Sequence, residues 1–120
     1  LQPNIGAETV RIWAEKNRWH IAAEDLVREN ERFSVILVLE PGRSLQPMSA
    51  VELYLGPKLL ADQHPLLGLY INEEWEKAQH ILAQLAQSDS EESRQKEKLL
   101  KRKWEDINGV ITCRLGVSLS

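Results

Sequence analysis

Phe33-Ser34-Val35-Ile36-Leu37-Val38-Leu39 is the stretch that decides the fold class. It is an apolar, β-branched run stopped by Pro41 and Gly42, and it is expected as a β-strand. Its near-continuous apolarity predicts burial on both faces. A second strand is expected over Val110 to Val117, where Val110, Thr112, Arg114 and Gly116 alternate with Ile111, Cys113, Leu115 and Val117, so that one face is buried. A third candidate is Ala50 to Leu55, where Val51, Leu53 and Leu55 alternate with Glu52 and Tyr54 before Gly56 and Pro57 close the run.

Helical patterning surrounds these runs. Asn72 is a good N-cap, and Glu73 and Glu74 behind it suit the positive end of a helix dipole. Trp75, Ala78, Leu82, Leu85 and Ala86 then recur at three- and four-residue steps, a core-facing stripe that Ile81 widens. Ser88, Asp89 and Ser90 interrupt it, and the Ser88–Glu91 and Asp89–Glu92 spacings suit a fresh cap, so a second helix begins there and the two form a hairpin. That helix has no apolar residue from Glu91 to Lys98. Its first half is expected to project into water, while Leu100, Trp104 and Ile107 dock the second half before Asn108 and Gly109 end it.

The amino-terminal third is two-sided. Over residues 8–30, Val10, Trp13, Ala14 and Ile21 fall on one side of a continuous helix and Ile12, Trp19, Ala23 and Leu26 on the other, and a break near Asn17 reconciles them. Helix, turn, helix is preferred over a hairpin turning at Glu15 to Arg18 followed by a helix from Ala23. The fold class is therefore α+β: an amino-terminal helical region, a small sheet of two to four short strands, and a carboxy-terminal helical hairpin followed by a final strand.

Composition bounds the rest. A chain of 120 residues with 42% hydrophobic and 28% charged residues lies in the range of a single globular domain spanning residues 1–120. The absence of an initial Met leaves excision from a larger protein open. No run of apolar residues is long enough to span a bilayer, no basic-then-apolar leader opens the chain, and a lone Cys113 makes no internal bridge, so a cytoplasmic location without membrane contact is expected. The net charge of −3 disfavours wholesale polyanion binding, yet charge is unevenly placed. Lys77 stands alone among seven acids between residues 61 and 92, and Glu97 stands alone among six bases between residues 93 and 103.

Candidate chemistry is thin. The glycines are isolated, so no nucleotide-binding loop is present. His20, His64 and His80 lie far apart with no ligand-spaced partner, so no metal and no cofactor are expected. His20 and Glu24 share a face on a helix but read as a solvated pair, and Cys113 reads as an inert core thiol. Of the four tryptophans, Trp13, Trp75 and Trp104 sit at core positions and Trp19, between Arg18 and His20, is the exposed candidate. Arg94, Lys98, Lys101 and Arg102 fall within roughly a 100° arc opposite Leu100, Trp104 and Ile107, forming an outward cationic ridge. A DNA-binding helix-turn-helix centred on Asn17 fits poorly, because Trp13, Lys16 and Arg18 occupy places that want small or apolar residues.

By elimination, the sequence points to a non-enzymatic protein-interaction or adaptor module. It presents Arg94, Lys98, Lys101, Arg102 and Trp19 to another protein, an acidic one or a second copy. A nucleic-acid-binding domain using the same ridge is the alternative.

Overall fold

The computed structural model describes residues 6–43, 46–116 and 119. The chain divides into two compact units, Leu1–Leu67 and Gly68–Ser120.

In the first unit, helix α1 (Ala7–Lys16) carries Glu8 in its first turn and Lys16 in its last, both favourable to the helix dipole. Val10 and Ala14, one turn apart, face inward. Asn17 ends the helix where the two-sided apolar pattern places a break: its side-chain amide donates to the Trp13 carbonyl at 2.8 Å, and Arg18 adopts a left-handed φ of 61°. The chain then enters strand β1 (Trp19–Glu29), not a second helix. This strand pairs antiparallel with β2 (Arg32–Pro41) in a two-stranded sheet, with Glu29 opposite Arg32. Local propensity in Ala22-Ala23-Glu24 favours helix, but the β-branched partner strand supplies backbone hydrogen bonds and side-chain contacts that outweigh it. The turn is Asn30-Glu31, both left-handed at φ 50° and 65°, the twist a tight hairpin requires.

Strand β2 confirms the reading of residues 33–39 as extended, but not its burial. Its residues alternate between half-buried and exposed, with Ile36 and Val38 on the outer face. The inner face meets Ile21 and Leu26 of β1, with a register irregularity between Ile21 and Ala23.

Residues Ala50–Leu55 form helix α2 where a strand was expected. The decisive signal is a reciprocal cap: the Ser49 hydroxyl accepts from the Glu52 amide, and the Glu52 carboxylate accepts from the Ser49 amide. Helix α3 (Pro57–Ala61) comes after Gly56, with Pro57 at its first position. Leu55, Leu59 and Leu60 are fully buried.

The helices of the second unit are α4 (Leu67–Ala86) and α5 (Glu91–Leu115). Helix α4 begins five residues before Asn72, so that residue is not its cap. The expected break is real: Ser90 caps α5, accepting from the Ser93 amide at 3.1 Å. The Trp75 and Trp104 rings meet at 5.2 Å between centroids, joining the two helices. Ile81 is exposed and widens no core stripe.

The expected final strand is absent among the described residues. Helix α5 runs through Asn108 and Gly109 to Leu115 and ends at Gly116, which is left-handed at φ 69°. Trp104, Ile107 and Ile111 continue one buried helical stripe, and that periodicity overrides both the alternation read over 110–117 and the roughly 1 kcal/mol cost of an internal glycine. Val117 lies outside the described residues. Among those described, no helix is long and apolar enough to cross a membrane.

Candidate functional site

On α5 the four predicted cations share one element but not one role. Arg94 turns back to the end of α4, where its Nη2 donates to the carbonyls of Leu85 and Ser88, while Nη1 lies 3.4 Å from Glu97. It therefore ties the start of α5 to the end of α4 and to the loop between them. Lys101 reaches Glu97 only at 4.0 Å. Lys98 and Arg102 are exposed and have no partner among the described residues. The outward row is thus Lys98, Lys101 and Arg102, and Glu105 on the next turn ends it.

The first unit carries a second feature that sequence reasoning missed. A cleft of about 880 Å³ opens where the two strands begin and end, lined by Trp19, Arg43, Met48, Lys58 and the carboxylates of Glu15 and Glu52 among others. Gly42 closes the strand ends by donating to the Arg18 carbonyl at 2.9 Å, and His20 Nδ1 donates to the Gly42 carbonyl at 3.0 Å. Both carboxylates serve local structure: Glu15 accepts from the Met48 amide at 3.2 Å, and Glu52 completes the α2 cap. Arg43 and Lys58 are exposed, with no side-chain partner among the described residues.

A buried ion pair holds the floor of this unit. Arg11 Nε donates to Glu24 Oε2 at 2.7 Å, and Arg11 Nη1 donates to the carbonyls of Leu53 and Tyr54 at the end of α2. Glu24 Oε1 accepts from the Lys58 and Leu59 amides at the start of α3, at 2.7 and 3.2 Å. One carboxylate on β1 thereby fixes the backbone from which Lys58 projects.

The remaining candidates are redistributed. Glu24 points into the core and pairs with Arg11, not with His20. Trp19 is half-buried, and Trp13, expected in the core, is the more exposed at 48%. Their rings lie 6.0 Å apart. Cys113, expected buried, is exposed because α5 is helical there. His64, outwardly a loop residue, accepts from the Leu66 amide at Nδ1 and donates from Nε2 to Asp25 Oδ1 at 2.8 Å. No group of side chains suited to a metal ion occurs among the described residues.

Known proteins share this chain's sequence pattern and fold. The family model described as TrmK, tRNA (adenine(22)-N(1))-methyltransferase, matches residues 1–109. The chain belongs to this family. The tRNA (adenine(22)-N(1))-methyltransferase of Bacillus subtilis (strain 168) is 29% identical over 116 residues, which cover 92% of this chain and 49% of the relative. Among solved structures, an uncharacterized protein from Listeria monocytogenes serotype 4b superimposes with a TM-score of 0.78 at 30% identity, over 91% of this chain and 48% of that one. Streptococcus pneumoniae Sp1610, described as a putative tRNA (m1A22) methyltransferase and solved in complex with S-adenosyl-L-methionine, gives 0.71 at 27% identity, over 91% and 44%. The chain spans about half the length of the relatives it matches.

Membership corrects the reading of the chain as a non-enzymatic protein-binding or adaptor module, because the family is one of RNA-modifying enzymes. It likewise overturns the expectation of an acidic protein or a second copy as the partner, because the matching family is described by an activity on tRNA.

Proposed function

We propose that this chain is the tRNA-engaging portion of a tRNA (adenine(22)-N1)-methyltransferase, with Lys98, Lys101 and Arg102 of α5 binding phosphates of the tRNA backbone. The family match over residues 1–109 carries this reading, and it includes that row of cations. Three outward cations over two successive turns supply the sequence-independent charge that phosphate contacts use. Glu91, Glu92 and Glu105 bracket the row and confine a polyanion to its middle turns. A tRNA substrate also supports the cytoplasmic location expected from the sequence.

The described residues do not fit S-adenosylmethionine, the methyl donor bound in the Streptococcus relative. None of Gly6, Gly42, Gly56, Gly68 or Gly109 joins a glycine cluster leading from a strand into a helix, and the space at Gly56 is already filled by the Arg11 and Glu24 side chains. No step of methyl transfer is assigned to these residues.

The test is tRNA binding by the chain as a function of salt. Three phosphate contacts give a logarithmic slope of about two to three, and Lys98→Glu with Arg102→Glu lowers affinity at least tenfold at low salt while flattening that slope. Unchanged affinity and slope in the double variant overturn the proposal.

A further inference from the structure

We infer that the cleft at the open end of the hairpin holds an unpaired RNA nucleotide, with its base against the Trp19 ring and its phosphate between Arg43 and Lys58. The inference rests on the tRNA reading above and extends it to a second contact on the other unit. Three observations carry it. First, the cleft, at about 880 Å³, is roomy enough for one nucleotide and remains open to a continuing strand. Second, the Arg43 and Lys58 side chains that line it are exposed and have no ion-pair partner among the described residues, while Glu15 and Glu52 are held in place by the Met48 and Ser49 amides. An anion placed at Arg43 and Lys58 therefore meets two cations that no carboxylate has taken.

Third, Trp19 is not a simple core residue. It lines the cleft while Trp13, itself half-exposed, braces it at 6.0 Å with the rings tilted by 48°. A braced indole in a cleft that also holds two unpartnered cations suits base stacking with phosphate neutralisation, which is the recognition mode of single-stranded RNA; in helical RNA the base faces are hidden. The Lys58 backbone is anchored by the buried Glu24 carboxylate, so the cation projects from a fixed point.

The experiment titrates the whole chain with an unstructured RNA heptamer and, separately, with tRNA, following tryptophan fluorescence and filter retention. Trp19→Ala and Lys58→Glu are each expected to weaken heptamer binding at least fivefold, with Trp19→Phe returning it to within twofold. Lys58 is exposed, so its variant reports even if Trp19→Ala perturbs folding, which melting curves reveal. Heptamer binding that is absent, or that neither Trp19→Ala nor Lys58→Glu weakens, overturns the inference whatever tRNA does. Heptamer binding that depends on Trp19 and Lys58, with no binding of tRNA, supports the cleft and defeats the tRNA reading alone.

Discussion

Arg11 and Glu24 form an ion pair sealed from solvent, at 1% and 0% side-chain exposure, that ties α1 and β1 to the facing ends of α2 and α3. Nearly every polar atom of the pair is used: Glu24 accepts three hydrogen bonds, and only Arg11 Nη2 lacks a partner. Such a pair adds little net stability over an apolar substitute, but removing one member strands the other. Arg11→Met and Glu24→Ala should each destabilise the chain by about 3–5 kcal/mol. The double variant should cost less than the sum of the two, as read from denaturant melts; strict additivity would mean the two residues are not energetically coupled.

Gly56 is the hinge over which this pair lies. Its φ is 105°, and an added Cβ would sit 2.7 Å from Arg11 Nη2 and 2.8 Å from Glu24 Oε1. Gly56→Ala combines backbone strain with displacement of a buried pair, so a loss of at least ~2 kcal/mol is expected in denaturant melts. Gly109→Ala, at an open helical site, should stabilise by up to ~1 kcal/mol.

The tryptophans rank differently from their sequence context. Trp104 is 3% exposed and packs on Trp75, so Trp104→Ala should cost about 3–5 kcal/mol. Trp13→Ala, at 48% exposure, should cost about 1 kcal/mol. Equal losses in thermal or denaturant unfolding would contradict this difference in packing.

Asp25 supplies a pH dependence. The hydrogen bond from His64, then that from the Leu26 amide, hold its carboxyl below the ordinary value of 3.8. A carboxyl with a depressed folded-state pKa contributes stability above its unfolded pKa, and that contribution is lost as pH falls through the folded value. The chain should therefore lose stability below about pH 4, and Asp25→Asn should flatten that decline in melts across the acid range. An unchanged acid limb would mean that the His64 contact is not maintained in solution.

Some of this architecture was legible in the residues alone. The strand over 33–39, the helix break at Asn17 and the restart at Ser90 were readable because each depends on local chemistry: β-branched runs, a side chain that caps its own turn, a hydroxyl at a helix start. The outward placement of Lys98, Lys101 and Arg102 came from helical periodicity.

Tertiary structure decided the rest. Ala22-Ala23-Glu24 is extended because β2 pairs with it, and residues 110–115 are helical because Ile107 and Ile111 continue the buried stripe of Trp104. The Arg11–Glu24 pair joins residues thirteen apart, and the cleft brings Trp19, Arg43 and Lys58 together from three segments. Periodicity reports which face of an element is apolar. Only packing determines which distant partner a charge or a strand edge meets, since that choice is made by desolvation and hydrogen-bond satisfaction across the whole unit.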